Sequence, residues 1–311
     1  MPLNTKRFIN DEVKKLKNKV SQGTAICATS GGVDSMVCAF LAHRALGKNL
    51  IALFIDDGLM RDREAQTVSK MLRKHGVRTV VVYAAKDFFR ALKGKKDPED
   101  MRKAFRDTFY KILGKAVKKY KADYLIQGTI AADIKETKGK IKSQHNVLSQ
   151  IGINPKKYGL SIIEPLVKLY KPGVRKVGKG LGLPKAIYQR MPFPGPGLAT
   201  RIVGEVTPPR VKIVRKATSI VEKELKKFKA FQAFAVLLWD RATGIKKGKR
   251  AFGNIIIIRS VESKDALTAT PTKIPYPVLE KIQKRIVREI PQVTKVLYDI
   301  SPKPPSTIEY I

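Results

Sequence analysis

Residues 24–35, Thr-Ala-Ile-Cys-Ala-Thr-Ser-Gly-Gly-Val-Asp-Ser, constrain this chain more than any other stretch. A short β-prone run ends in Ser30-Gly31-Gly32, and a helical pattern starts at once, with Val33, Val37, Phe40, Leu41 and Ala45 at three- and four-residue spacing. The two glycines therefore sit where a strand turns into a helix. They permit positive φ and leave no Cβ in the way of a ligand. The first N–H groups of the helix lack intrahelical partners and point at the same spot. The hydroxyls of Ser30 and Ser35 add donors, and the carboxylate of Asp34 suits Mg²⁺ held against phosphate oxygens. The stretch predicts an anion cradle with a metal ligand built in.

The plainer reading is a glycine turn capped by serines, with Asp34 favouring the helix N-terminus. The six-residue string behind a strand, at the start of an α/β pattern, favours nucleotide binding instead. It is not a Walker A loop, because the four-residue spacer and the Lys-Ser/Thr ending are missing. It resembles the pyrophosphate loop of the N-type ATP pyrophosphatases. That resemblance implies cleavage of ATP between its α- and β-phosphates and activation of a substrate as an adenylate.

A chain of 311 residues, 43% of them hydrophobic, has room for one large domain or two medium ones with an ordinary core. No apolar run is long enough to span a bilayer, and the opening residues carry no signal-type segment, so the expected location is the cytoplasm and no membrane partner is expected. The two cysteines, Cys27 and Cys38, are expected to pack as small hydrophobes. The charge is the outlier: 63 Lys+Arg against 26 Asp+Glu, a net +37. Taken alone this points to nucleic acid. The lysines are spread through nearly all helical segments, however, so the reading adopted is a solvated basic surface without a nucleic-acid partner.

In chain order, an amphipathic helix is expected over 7–20. Residues 50–55 form a continuous apolar run, the mark of a strand covered on both faces. Ligands bind beyond the carboxyl ends of such strands, so Ile55 and Asp56 should face the crevice of Ser30. Helices are expected over 64–75, 86–92 and 98–120, and strands over 79–83, 124–126 and 161–166, with a short helix over 173–181. This alternation predicts a doubly wound parallel sheet. The stretch 130–161 has little periodicity and many polar donors, and is expected to be a lid loop over the phosphate site. The run Pro192-Phe193-Pro194-Gly195-Pro196-Gly197 breaks regular structure. The expected division is 1–191 for the first domain, with its lid at about 130–160, and 192–311 for a smaller α+β domain. In that domain helices are expected over 208–228 and 277–289, strands over 231–238, 254–260 and 294–299, and a terminal apolar strand at the chain end.

Further strings carry a more specific resemblance. They are residues 30–35, 54–61, 127–130, 141–147 and 192–201, then Arg259 with Val261, Ser263, Asp265, Thr268 and Ala269, and finally Lys303-Pro304-Pro305 with Thr307-Ile308-Glu309. In this order and over nearly the whole chain, they resemble the synthetase part of the GMP synthases. The resemblance implies an adenine nucleotide alpha hydrolase-like fold with a C-terminal dimerisation domain, and hence a homodimer. It implies a ligase in which the O2 oxygen of xanthosine monophosphate (XMP) attacks the α-phosphorus of MgATP, pyrophosphate leaves, and ammonia then displaces AMP to give GMP. The resemblance begins directly at the pyrophosphatase part, which implies a separate glutamine amidotransferase subunit as the ammonia source, an archaeal arrangement.

Carried onto this chain, the resemblance places pyrophosphate on Ser30, Gly31, Gly32, Val33 and Ser35, Mg²⁺ on Asp34, and adenine against Ile55 and Gly128. Asp133, Glu136, Lys142 and His145 match lid positions linked to adenylation. Arg201, Gln232, Lys303, Thr307 and Glu309 match XMP-binding positions. Three positions depart from the family pattern: Gln144 for the first of two histidines, Ala132 for a proline, and the ending Glu309-Tyr310-Ile311. Two other readings remain open at this point. One is a tRNA-modifying pyrophosphatase, which would use the basic charge; the other is a catalytically weak nucleotide-binding paralogue.

Overall fold

The computed structural model describes residues 3–138, 160–228 and 230–311. The chain divides into two compact units, each discontinuous in sequence. The first comprises Met1–Asp56, Arg63–Ala84 and Arg106–Arg190; the second comprises Asp57–Asp62, Ala85–Phe105 and Met191–Ile311.

The first unit is a five-stranded, wholly parallel sheet in the order β3 (Thr79–Tyr83), β2 (Leu50–Asp56), β1 (Ala25–Thr29), β4 (Tyr124–Ile126) and β5 (Ser161–Ile163). Helix α1 (Thr5–Val20) is started by Asn4, whose side chain accepts from the N–H of Arg7 at 3.0 Å, and buries Ile9, Leu16 and Val20. Strand β1 (Ala25–Thr29) leads into α2 (Val33–Leu46), and β2 (Leu50–Asp56) into α3 (Glu64–Lys74). Six successive residues of β2 are buried, as a strand covered on both faces must be. Each such Leu, Ile or Phe contributes on the order of 1.5–3 kcal/mol of burial. After β3 (Thr79–Tyr83) and α5 (Pro98–Tyr120), the chain places β4 (Tyr124–Ile126) on the other side of β1. Ala25 thus aligns with Leu50 on one side and Tyr124 on the other. The strand order reverses there, and the crevice beyond the ends of β1 and β4 is the natural ligand site of such a sheet. Strand β5 (Ser161–Ile163) stops short of the expected 166 because Pro165 cannot continue a ladder. The stretch expected to be loop from 130 instead opens with helix α6 (Ala131–Lys138). Helix α7 (Lys171–Gly180), with Pro172 in its first turn, and the short α8 (Lys185–Tyr188) complete the unit.

The second unit is built on a mixed four-stranded sheet. Strands β6 (Gln232–Lys246) and β7 (Lys249–Glu262) form an antiparallel hairpin whose two turn residues, Lys247 and Gly248, both have positive φ, 48° and 75°. That is the backbone sense that matches strand twist. Strands β8 (Thr270–Pro271) and β9 (Val293–Asp299) pair with the far edge of β7, β9 in parallel. Residues alternate across the pleat. Ala233, Ala235 and Leu237 face a core filled by α9 (Pro208–Glu224) and α10 (Tyr276–Glu289). Phe234 and Val236 face the opposite side. Helix α4 (Ala85–Leu92) contributes Leu92 to the first of these cores. The chain end is not the expected terminal strand. Its ladder contact is an isolated bridge between Lys303 and Ala269, because Pro304 and Pro305 have no N–H to donate. The segment instead lies across the second face of the sheet, where Ile308 packs with Val261 and Tyr310 packs against the Phe234 cluster.

Candidate active site

In the first unit the loop after β1 turns directly into the first turn of α2. Gly31 has φ +78°, and Gly32 is the N-cap of α2 with an extended backbone. The side chains of Ser30 and Ser35 lie with their Oγ atoms 3.2 Å apart, and the N–H of Ser30 donates to Ser35 Oγ at 3.2 Å. Ser35 Oγ also donates to the carbonyl of Gly32 at 3.1 Å. Val33 is buried at the start of α2. Gly128 follows β4, and its Cα presses so close to α2 that an added Cβ would sit 2.9 Å from the carbonyl carbon of Asp34 and 3.0 Å from the nitrogen of Ser35. Only glycine lets the end of β4 approach the first turn of α2 in this way. Ile55, near the end of β2, is buried and pairs with Val82.

Asp34 is divided between two environments. Its Oδ2 accepts from the ammonium of Lys171 at the start of α7, while its Oδ1 is buried and has no hydrogen-bond partner. A buried carboxylate oxygen without a donor costs about 1–3 kcal/mol, more for a charged group. A hard cation bound through that oxygen would remove the cost, so the donor set fits Mg²⁺.

One partner of this loop, Arg190, leaves no mark in the local sequence. Arg190 donates twice to Glu64, at 2.6 Å each, and once to the carbonyl of Gly31 at 3.1 Å. Glu64, the first residue of α3, is 5% exposed. Beyond Gly128, the Thr129 hydroxyl donates to Glu164 at 2.6 Å. Asp133 accepts from the N–H of Ile130 at 2.9 Å and so starts α6. Glu136 lies on α6 with its side chain outside the described residues, as are Lys142, Gln144 and His145 entirely. Behind the loop, Cys27 and Cys38 are free and buried. Their mutual hydrogen bond, with burial, pushes the Cys38 thiol well above its usual range, so both pack as hydrophobes, as expected.

A second cluster lies within the second unit. Arg201, 1% exposed, donates Nε to Glu309 Oε2 at 3.1 Å and Nη2 to Oε1 at 3.0 Å. Its guanidinium lies 4.0 Å from the Phe234 ring centroid and 4.8 Å from that of Phe193, and its Nη1 is buried without a partner. Gln232 donates to Glu309 Oε1 at 2.8 Å, and Thr200 to Oε2 at 3.3 Å. Three of the five residues expected on the XMP side therefore share one hydrogen-bonded knot. The Thr307 hydroxyl donates to the Glu309 carbonyl, while Lys303 reaches the carbonyl of Ala266 at 2.8 Å.

Arg259, wholly buried, underlies this segment. It donates to the carbonyls of Ser301 at 2.6 Å and Thr307 at 2.8 Å, and pairs with Asp299 at 3.2 Å. Burial opposes charge on Asp299, but the N–H of Ser301, the Tyr310 hydroxyl and Arg259 outweigh it and hold the carboxyl below its usual range. Burial and the bond to Asp299 push Tyr310 up to about 12.

A parallel sheet carrying a Ser-Gly-Gly-x-Asp-Ser cradle at its switch point defines a PP-loop ATP pyrophosphatase. The PP-loop domain pattern matches residues 5–183, and the GMP synthase C terminal domain pattern matches residues 219–310. The chain is 50% identical over 309 residues to the B subunit of GMP synthase (glutamine-hydrolyzing) from Archaeoglobus fulgidus, covering 99% of this chain and 100% of that one. The same protein of Thermococcus kodakarensis is 50% identical over 306 residues, 97% of this chain and 98% of that one. Among solved structures, an NH3-dependent NAD synthetase from Campylobacter jejuni aligns with a TM-score of 0.49 at 13% identity, over 73% of this chain and 88% of that chain. The chain belongs to the family of GMP synthase B subunits.

Proposed function

We infer that this chain is the synthetase subunit of a GMP synthase, a C–N ligase that consumes ATP to AMP and pyrophosphate. In the first step the O2 oxygen of XMP attacks the α-phosphorus of ATP, and the bond to the β-phosphate oxygen breaks. Pyrophosphate leaves and O2 carries the adenylyl group. In the second step ammonia attacks C2, and the C2–O2 bond breaks to release AMP and GMP. Ammonia comes from a separate glutaminase subunit.

The observation that carries this reading is Asp34, whose Oδ1 is buried and unpartnered inside the Ser30–Ser35 cradle. Mg²⁺ there would supply charge neutralisation at phosphate oxygens. Charge grows on the pyrophosphate as it leaves, and pre-oriented N–H and hydroxyl donors on Gly31, Gly32, Val33, Ser30 and Ser35 stabilise it without reorganisation cost. Ile55 and Gly128 line the adenine side, and Lys142, Asp133, Glu136 and His145 act in the adenylation step. On the substrate side, Lys303 suits the phosphate of XMP, and Glu309, held by Arg201 and Gln232, suits the N–H groups of its base. Thr307 adds a hydroxyl. The protein is proposed to work in the cytoplasm as a homodimer through the 192–311 region. Among the described residues no helix is long and apolar enough to cross a membrane.

The test is pyrophosphate release by the purified chain with MgATP and ammonium, with and without XMP. XMP-dependent release with GMP appearing supports the reading. Release triggered by bulk tRNA, weakening steeply with salt, overturns it in favour of a tRNA-modifying enzyme.

A further inference from the structure

We propose that Arg190 is a positioning residue for the pyrophosphate loop, acting on the peptide between Gly31 and Gly32. The proposal rests on the reading of residues 30–35 as the pyrophosphate cradle. Arg190 lies just past α8, more than 150 positions from the loop it touches. Its guanidinium is locked by the two parallel 2.6 Å bonds to Glu64, a carboxylate that is itself 5% exposed. From that fixed seat Nη1 makes a second bond, at 3.1 Å, to the Gly31 carbonyl.

The peptide unit is planar and trans, so its C=O and N–H point in opposite directions. Anchoring the Gly31 carbonyl on one side therefore sets the direction of the Gly32 N–H on the other. That N–H faces Ser30 Oγ at 3.4 Å, on the cradle side. Glycine flanks this peptide on both sides, and glycine backbones rotate easily. Gly31 also sits at φ +78°, a conformation the loop does not hold by sterics alone. Without the Arg190 bond, only the long 3.4 Å bond from the Gly32 N–H to Ser30 Oγ opposes a flip that would present a carbonyl to the incoming phosphate. The Glu64–Arg190 fork supplies that anchor. Its planar, always-charged geometry is one a lysine cannot reproduce.

The experiment compares wild type, Arg190→Lys, Arg190→Met, Glu64→Gln and Asp34→Ala in the full chain. Calorimetry measures the Kd of magnesium pyrophosphate, steady-state kinetics gives KM for ATP and for XMP with kcat, and thermal melting follows the fold. Loss of one pre-oriented N–H donor costs about 10²-fold or more in kcat. The expected result for Arg190→Met is a loss of that order, a Kd for pyrophosphate raised by about tenfold, and an unchanged KM for XMP. Arg190→Lys should restore part of the pyrophosphate affinity. If Arg190→Met does not fold, Glu64→Gln carries the same expectation with a smaller change. A lower melting temperature with pyrophosphate affinity and ATP kinetics within twofold of wild type overturns the proposal, since a mere tether would do that. If pyrophosphate binds wild type and Asp34→Ala equally, the cradle reading itself has failed, and the two failures are thereby told apart.

Discussion

Lys171 and Asp34 form an ion pair that leaves half of the aspartate unanswered: the ammonium takes Oδ2, and Oδ1 stays buried with no donor. A lysine alone does not complete this site. Exchange of Asp34 for Asn keeps the shape and a neutral hydrogen-bonding group, but removes the charge that a hard cation needs. A metal's contribution to the transition state is several kcal/mol, so XMP-dependent pyrophosphate release by Asp34→Asn should fall by about 10²-fold or more. The measurement is a magnesium titration of that release. Turnover within a few-fold of wild type would remove Asp34 from the chemistry.

Gly128 offers a test through packing alone. A methyl group at this position would meet the backbone of Asp34 and Ser35 at 2.9–3.0 Å, and backbone cannot move aside as a side chain can. Overpacking of this kind costs about 1–3 kcal/mol. Gly128→Ala is expected to raise KM for ATP more than KM for XMP and to lower the melting temperature by a few degrees. Equal rises in the two KM values would show that the strain is not confined to the nucleotide site.

The Arg201–Glu309 fork makes a different prediction. Arg201 is buried between two aromatic rings, so removal of its carboxylate strands a charge away from water. Breaking a buried pair from one side costs about 3–5 kcal/mol. Glu309→Gln should lose about 3 kcal/mol in urea unfolding, toward the low end because Glu309 is partly exposed. Arg201→Met with Glu309→Gln should cost less than the two single changes added together, since the stranded charge is gone. Strict additivity would mean that the pair is not coupled.

Between α9 and α10, Glu224 accepts from Lys281 and Arg285, and Glu289 from Lys216 and Arg285. These bonds hold both carboxyls below the ordinary glutamate value. A depressed folded pKa stabilises the fold above the unfolded value, about 4.3, and that stability is lost as pH falls through the lower, folded value. The melting temperature should therefore drop on going from pH 6 to pH 3. A Glu224→Gln, Glu289→Gln double variant should start lower at pH 6 and lose less over the same range. Parallel curves for the two proteins would exclude this cluster as a source of the pH dependence.

The turn from β1 into α2 was legible because a strand, two glycines and a helix start lie in one short stretch. Strand β2 was legible from its unbroken apolar run. The inner halves of β6 and β7 were legible too, over 231–238 and 254–260, but their outer halves and the turn that joins them were not. Gly244, Gly253 and the lysines of 246–249 look like loop, yet the glycines are close-approach sites. A Cβ on Gly253 would lie 2.5 Å from Thr294 Cγ2, so a strand interior there needs glycine. The ending reads as a strand because Ile308, Tyr310 and Ile311 make it apolar, but the two prolines before them leave a partly buried flap instead of a ladder. Lys171 and Arg190 could not have been singled out, since their partners lie 137 and 126–159 positions away and a lone lysine or arginine in so basic a chain carries no signal.

The second unit draws on three separate stretches of the chain, and its core places Leu59, Leu92 and Met101 beside Leu198 and the α9 face. During synthesis those three apolar residues leave the ribosome well before their neighbours exist. At about 5–20 residues per second they wait for seconds without cover. No single cut of the chain yields both units whole: a fragment ending at Arg190 carries the nucleotide sheet but exposes these residues to aggregation, and the complementary fragment lacks part of its own interior. The early-made Leu59, Leu92 and Met101 thus depend on residues from 198 onward for their cover, and a chain cut short near residue 190 would leave them without it.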